Sequence, residues 1–487
     1  MAWATLGHAQ TRTAPANQDG TGEAGGDTQQ GPVPGPGPST ARFGTGPSPG
    51  EPGFLTGLFG ADRPNLLGHL YGLRTLLDGY GISLGIQETS EILGNATGGI
   101  RRGIAYDGLT TLSLGLDTEK AFGWSGGTFN VSAFQIHGRN LSAENLLTLQ
   151  TASGIEAQRA TRLWELWFQQ SFLGGKLDVK VGQQSLDTEF FNSQGSGLFI
   201  NTAAGWPLLP SVNLRAGGPA YPLASLGIRA RAQLRDDLTL LLGAYDDNPA
   251  GVPLLNPSQV RGAAQSGTSF HLGTGVLAFG ELQFTINQPS ATGTQPAGLP
   301  GVYKLGAWYD SGTFRDQRFD GTRISLADPA SSGDPRARRH NWSLYGVFDQ
   351  AVWRADGGQV LGVFARMMGG PGDRNPVNFS VNAGITLKAP FLGRDNDTAG
   401  LGFGVAQIGP SAIRLDRDLN AATGAYPVRG SEGFLEATYQ LQVAPWWFLQ
   451  PDAQYVFTPA GGVRNPQRPD KRVGNSALFG LRTNIVF

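Results

Sequence analysis

Residues 477–487, ALFGLRTNIVF, decide the fold, because their side chains alternate in character with a period of two. One face is apolar apart from Thr483 and ends on Phe487, whereas the opposite face carries Arg482 and Asn484. This alternation is typical of a strand in an outer-membrane β-barrel, with one face in hydrocarbon and the other toward water. A terminal strand of a soluble sheet would alternate in the same way, so the rest of the chain has to decide between the two.

The composition favours the membrane barrel. The chain has 487 residues, with 73 Gly, 31 Pro, no Cys, only 15% charged residues and a net charge of −1, and its mean hydropathy is −0.19. No run of about 18 apolar residues is present, which excludes membrane-spanning helices. A barrel averages to near-neutral hydropathy because lipid-facing and water-facing residues alternate. The weak net charge gives no indication of nucleic-acid binding, and the lack of Cys excludes a disulfide framework.

Three segments follow from the distribution of residue types. Residues 1–9 place Gly7 and Ala9 as a signal-peptidase site would, so we interpret them as the remnant of a secretion signal; an ordinary disordered N-terminus remains the alternative. Residues 10–62 are rich in Gly and Pro and predict a disordered periplasmic tether, with peptidoglycan as a partner to consider. Residues 63–487 are predicted to form the barrel, entered through a short amphipathic helix.

Strand-like segments and turns repeat along residues 63–487. Segments such as 377–388, 432–443 and 449–457 alternate with period two. Their links alternate in length, as short periplasmic turns and long external loops do in bacterial barrels. The short links are 174–176, 235–237, 355–359 and 444–446, and the long ones are 139–161, 185–223, 313–340, 410–429 and 458–475. We predict about 16 strands, after merging one ambiguous run at 270–275 into its neighbour.

Aromatic residues cluster near the short links and predict an interfacial girdle. These residues are Phe122, Trp124, Phe172, Phe391, Trp446 and Trp447.

The densest aromatic stretch is RLWELWFQQSF at residues 162–172, and its two faces differ. Strict alternation predicts that one face meets lipid, and this face comprises Trp164, Leu166, Phe168 and Phe172. The other face would point into the lumen with Glu165, Trp167 and Gln169. The loop at 185–222 is too long and too rich in Gly, Pro and aromatic residues for a simple turn, so we expect it to fold inward and narrow the channel.

A series of motifs resembles the carbohydrate-selective porin family, the glucose porins of the OprB type. The matching pieces cover nearly all of 63–487, in order: GLRT (72–75), LDTEK (116–120), GRNL (138–141), RLWELWFQQSF (162–172), FINT (199–202), GWP (205–207), GGPAYP (217–222), LPGVYKLGAW (299–308), GRD (393–395), APWW (444–447) and GLRTNIVF (480–487).

The resemblance implies a roughly 16-stranded, all-β, transmembrane antiparallel barrel with inward-folded constriction loops. It also implies passive passage of monosaccharides such as glucose into the periplasm, without catalytic residues, metal or cofactor. To the constriction we assign lumen-facing Arg, Glu and aromatic residues, whose directions are inferred from parity; for each, a lumen salt bridge or a structural aromatic is the alternative. These residues are Arg139, Glu165, Trp167, Gln169, Asp187, Glu189, Phe190, Arg229 and Arg231.

The chemistry of sugar passage suits these residue types. A hexose that enters a narrow channel loses water, so the wall must return hydrogen bonds to its hydroxyl groups while holding the sugar weakly. Arg and Glu supply such bonds, and a Trp face can lie against the apolar side of the ring.

Other functions fit less well. The five His residues are scattered, so they form no nucleophile–base grouping and have no metal-ligand spacing. The sequence also lacks a phosphate-binding GxxxxGK[ST] motif. The main alternative is a general or anion-biased diffusion pore without sugar selectivity. We expect the Gram-negative outer membrane as location and its lipid and lipopolysaccharide as surroundings. Phe487 and Ile485 would serve as the signal for the barrel-assembly machinery.

Overall fold

The computed structural model describes residues 64–250, 266–288 and 298–487. Within them, sixteen antiparallel strands close into one barrel, which confirms the predicted fold and strand number. The run at 270–275 is irregular and leads into a strand, so merging it was right. The predicted signal remnant at 1–9 and tether at 10–62 lie outside the described residues.

The barrel strands follow chain order, and a small external hairpin interrupts them before the last. They are β1 (Ile82–Asn95), β2 (Gly103–Asp117), β3 (Gly127–Gly138), β4 (Ala160–Phe172), β5 (Leu177–Gln184), β6 (Ser225–Arg235), β7 (Leu238–Asp246), β8 (Val276–Ile286), β9 (Gly301–Asp320), β10 (Pro335–Arg354), β11 (Val360–Gly369), β12 (Val377–Lys388), β13 (Thr398–Ile408), β14 (Ser431–Ala444), β15 (Trp447–Phe457) and β18 (Ser476–Val486). The hairpin strands are β16 (Arg464–Asn465) and β17 (Arg468–Arg472).

The described residues also include four α-helices that are not part of the wall: α1 (Leu73–Gly79), α2 (Thr118–Phe122), α3 (Leu208–Asn213) and α4 (Pro410–Thr423). Helix α1 is shorter than the entry helix predicted from the helical spacing of Leu66, Leu70, Leu73 and Leu77, because the chain before Leu73 forms turns. None of the helices in the described parts of the chain is both long and apolar enough to cross a membrane.

The barrel closes between β1 and β18. Their register runs from Gln87↔Val486 to Asn95↔Leu478, and the Phe487 amide donates to the Ile86 carbonyl at 2.9 Å. Arg74 of α1 donates to the Phe487 backbone oxygen. The terminal segment therefore completes the wall, and no sheet edge is left open there.

The outer face of the wall is apolar. Exposed aliphatic and aromatic side chains include Ile92, Leu112, Leu282, Leu305, Leu344, Leu401 and Phe479. On a closed barrel, in which every wall strand is paired on both sides, such a surface suits hydrocarbon. Of the residues predicted for the interfacial girdle, Phe122, Trp124, Phe172 and Phe391 are exposed, as a girdle requires. Trp446 is instead buried and stacks on Trp447 at 6.1 Å, which does not fit that prediction.

The five connections predicted to be long lie at the barrel end opposite Phe487. The predicted loop at 313–340 is largely strand instead, because β9 and β10 are each 20 residues long and leave only residues 321–334 as their connection. The pairing continues past one register shift with Phe314 opposite Arg338, and past a second with Asp320 opposite Pro335. This hairpin therefore extends the wall well beyond its neighbours.

Two other connections, 139–159 and 185–224, fold into the barrel, and most of their residues are buried. The second supplies Leu186, Phe190 and Trp206 to a core with wall residues such as Phe279. Glycine in the wall makes room for such packing: a Cβ at Gly402 would lie 2.8 Å from the Phe199 ring. The expected inward-folded loops are confirmed.

Candidate functional site

The lumen-facing rows of β4, β5 and β6 form the wall of the candidate constriction. Gln169 pairs in register with Lys180, which pairs with Arg229. One step along, Asp178 lies opposite Arg231. Because alternate residues of a strand share a face, these side chains project from the same side of the sheet.

Charged groups on this wall form one connected network with the inward loop. Arg229 contacts Asp178 and also donates to Glu189 Oε1 at 3.1 Å and to Gln169 Oε1 at 2.9 Å. Arg231 Nε donates to Asp178 Oδ2 at 2.7 Å. Lys180 pairs with Glu189. We call Gln169, Asp178, Lys180, Glu189, Arg229 and Arg231 the charged cluster.

Trp167 lies beside the charged cluster. Lys180 Nζ stands 4.4 Å from the centroid of the Trp167 ring, a cation–π distance. Trp167 itself is opposite Gly182 on β5. An indole face and several charged donors and acceptors are therefore neighbours on one wall.

The members of the charged cluster differ in access to solvent. The Arg231 side chain is 22% exposed to solvent and that of Glu189 is 14% exposed, whereas that of Arg229 is only 4% exposed. Trp167 and Gln169 are half-buried. Arg231, Glu189, Gln169 and Trp167 can therefore meet a solute, while Arg229 and Asp178 hold them in place.

Glu165 and Asp187 bind backbone amides of the inward loop at 185–224. Glu165 Oε1 accepts from the Ser185 amide at 2.9 Å, and Asp187 Oδ2 accepts from the Tyr221 amide at 2.8 Å. These bonds fix the two ends of the inward loop beside each other. Both carboxylates are buried and position the loop.

Phe190 and Arg139 lie apart from the charged cluster. Phe190 is fully buried, with its ring 4.9 Å from that of Phe279, and anchors the loop to β8. Arg139 is exposed just after β3, where its Nε lies 3.2 Å from Glu144 Oε2. The structure thus brings Trp167, Gln169, Glu189, Arg229 and Arg231 together. The other four predicted residues lie outside this group: the inward loop is held by Glu165, Asp187 and Phe190, and Arg139 lies elsewhere.

A bulge in β4 overturns the predicted direction of Trp164. The pairing with β3 shifts between Val131↔Leu166 and Ala133↔Leu163, so two residues of β4 face one of β3. Trp164 is consequently buried inside, stacked on Phe134 at 4.4 Å. Strict alternation across 162–172 fails at this point because a bulge changes the parity of the strand.

Sequence reasoning missed Lys180 and Asp178, which occupy the centre of the charged cluster. Their strand, LDVKVG at 177–182, alternates apolar and charged residues as clearly as β6 does. That alternation was the available signal.

The inward loop at 185–224 is also bound to the wall on the other side of the barrel, at β11 and β14. The buried guanidinium of Arg366 donates to the carbonyls of Ala203 at 2.6 Å, Ala204 at 2.5 Å and Gly205 at 2.8 Å. Glu436 accepts from the Ile200 amide at 2.5 Å. These anchors are not visible in sequence, because their partners are backbone atoms of a distant segment.

The second inward loop is held by a carboxylate near the external rim. Glu432 accepts from the amides of Leu149 at 2.8 Å, Gln150 at 2.7 Å and Ala460 at 2.6 Å. One side chain thereby joins the connections at 139–159 and 458–475. In the parts of the chain that the structure describes, no group of His, Asp and Glu side chains is arranged to hold a metal ion.

Comparison with known proteins agrees with this architecture. The family model "Carbohydrate-selective porin, OprB family" matches residues 101–487. Porin B of Pseudomonas aeruginosa is 26% identical over 448 residues, covering 87% of this chain and 91% of that relative. The putative porin QuiX of Acinetobacter baylyi is 24% identical over 450 residues, covering 88% and 94%.

Among solved structures, the high-pH structure of Pseudomonas putida OprB matches with a TM-score of 0.75 at 22% identity, covering 88% of this chain and 99% of that one. This likeness supports the fold, and the family match supplies the function class of a channel. The chain therefore belongs to the OprB family of carbohydrate-selective porins and is a sugar channel of the Gram-negative outer membrane.

Proposed function

We propose that this porin passes monosaccharides such as glucose passively into the periplasm, past Trp167 and the charged cluster. The observation that carries the proposal is the placing of an indole ring beside Arg231, Glu189 and Gln169 on one lumen wall. A hexose has hydroxyl groups on its rim and C–H groups on its faces. Such a wall offers partners for both.

The ion pairs within the charged cluster bear on selectivity. Asp178 and Glu189 balance two of the three cations Lys180, Arg229 and Arg231, so the cluster carries a net charge of about +1 by count. Paired charges attract bulk ions weakly but still present hydrogen-bonding groups. Neutral polyhydroxylated solutes are therefore favoured over free charges.

A general or anion-biased diffusion pore is the second candidate. It rests on the partial exposure of Arg231, whose guanidinium contacts a single carboxylate among the described residues, that of Asp178. Such a pore would show anion preference without competition between sugar and ion current.

The test is single-channel conductance in a planar bilayer, titrated with glucose and separately with an amino acid of similar size. We expect glucose to block the ion current, and Trp167→Ala to weaken this block about five-fold through loss of the ring contact. Trp342→Ala, on the exposed outer face, is the matched control and should leave the block unchanged. Current insensitive to every sugar, with selectivity set by charge alone, would favour the general pore.

A further inference from the structure

A basic surface lies at the external rim beside the barrel seam. The connections 96–102 and 458–475 carry six basic residues and one acidic residue, in a chain whose net charge is −1. The basic residues are Arg101, Arg102, Arg464, Arg468, Lys471 and Arg472, and we call them the rim patch.

The two connections of the rim patch are joined to each other. The Gly99 amide donates to the Gly474 carbonyl at 3.0 Å, and the Ala96 amide donates to the Ala477 carbonyl at 2.9 Å. The cations therefore belong to one surface across β1 and β18. Arg101 is paired with Glu144 at 3.0 Å, but Arg102, Arg468, Lys471 and Arg472 have no ion pair among the described residues.

The external hairpin sets two like charges against each other. Arg464 and Arg472 are direct partners in the register of β16 and β17. Like charges opposite each other destabilise a strand pair. Arg464 reduces part of this charge repulsion by donating to the Ala425 carbonyl. An anion between these strands would relieve the remainder.

Arg102 of the rim patch stands above lipid-facing side chains. Ile104 on β2 and Phe479 on β18 are 75% and 60% exposed, and both are in register with Gly94 of β1. Arg102 precedes Ile104 by two residues, which corresponds to a rise of about 7 Å on the same side of an extended chain. An exposed cation at that height above an apolar outer face meets the head-group layer of the outer leaflet.

The opposite side of the rim is built differently. There Arg318 on the β9–β10 hairpin binds Asp418 of α4 through Nε and Nη2, at 2.8 and 3.0 Å. The hydrogen bonds from Arg318 hold the pKa of Asp418 below its usual range. Arg338 likewise pairs with Asp316 at 2.7 Å. On that side Arg318 and Arg338 join protein to protein, whereas Arg468, Lys471 and Arg472 of the rim patch form no ion pair among the described residues.

We infer that the rim patch binds the phosphate groups of the phosphorylated glycolipid in the outer leaflet. Arg and Lys near an anionic membrane surface each add to the attraction, and Arg fits phosphate with two parallel hydrogen bonds. The acyl chains of the same lipid would lie along Ile104 and Phe479. This site is independent of which solute the channel carries.

The test measures retention of bis-phosphorylated lipid A and of dephosphorylated lipid A by the full-length porin, using native mass spectrometry. The variant R468Q/K471Q/R472Q should retain the bis-phosphorylated lipid about tenfold more weakly or worse. The control R315Q/R323Q/R339Q removes three exposed cations from the β9–β10 hairpin half-way round the barrel and should bind as the wild type does. Added salt should weaken wild-type binding.

Three results would overturn the inference. One is equal retention of the phosphorylated and dephosphorylated lipids, and another is equal loss in both triple variants. The third is unchanged lipid binding by R468Q/K471Q/R472Q together with altered ion selectivity, which would make the rim patch an anion-gathering entrance for solutes. Heat-modified migration of each variant on gels shows that the barrel itself has formed.

Discussion

The inward loop at 185–224 touches two walls of the barrel, and the two contacts are chemically opposite. On β4–β6, the charged cluster joins wall side chains to the loop side chain of Glu189, and Arg231 and Glu189 keep some access to solvent. On β11 and β14, Arg366 and Glu436 are buried and bind only backbone groups of the loop. Backbone contacts fix position whatever the loop side chains are. The first wall is therefore suited to recognition and the second to support.

The largest effect should come from breaking the supporting wall. Arg366→Leu removes the donor for four loop carbonyls and should destabilise the docked loop by about 3 kcal/mol or more, because each buried carbonyl left unpaired costs about 1–3 kcal/mol. Single-channel conductance should rise several-fold and become noisy as the loop leaves the lumen. The control is Arg354→Leu, at the far end of the neighbouring strand β10. Unchanged conductance in Arg366→Leu would show that the loop is held mainly by its apolar core.

Glu432→Gln should have a smaller effect on the second inward loop. It weakens acceptance from three amides by replacing a charged acceptor with a neutral one, at a cost of about 1–3 kcal/mol. Hydrogen exchange should accelerate at Leu149, Gln150 and Ala460 while the amides of β14 stay protected. Uniform acceleration across the barrel would instead indicate a global loss of stability.

On the recognition wall, Arg229→Gln should change selectivity more than stability of the barrel. The loss of one cation leaves Asp178 and Glu189 short of a partner, so cation preference should increase in a reversal-potential measurement. Glucose block should weaken about tenfold, because Glu189 loses one of the groups that orient it. If block persists at full strength while the loop stays docked, the charged cluster does not contact sugar.

Arg231→Gln should give the smallest change. Its ion pair with Asp178 is partly open to solvent, so its contribution to stability is about 0–1 kcal/mol. The thermal transition should stay within error of the wild type, while anion preference falls slightly. A marked fall in the transition temperature would place Arg231 among the supporting residues instead.

The same contrast explains what could be predicted from sequence. Period-two alternation placed Trp167, Gln169, Arg229 and Arg231 on the lumen face, because a regular strand fixes parity. Trp164 was misplaced because a bulge shifts that parity, and no residue type at 162–165 marks it. The anchoring role of Arg366 depends on backbone atoms more than 160 residues earlier in the chain, which side-chain patterns do not record.

The two walls also differ in when the growing chain can complete them. Glu189 and Arg229 are 40 residues apart, so the charged cluster can assemble within one short stretch of β-meander. The Ile200–Glu436 and Leu149–Glu432 contacts span 236 and 283 residues, and closing such long loops is entropically costly and slow. The contacts that support the inward loops can therefore form only after the last strands have been added to the barrel. A porin whose insertion stops before β14 would have the wall formed by β4–β6 but would lack the Glu432 and Glu436 contacts that hold its inward loops in place.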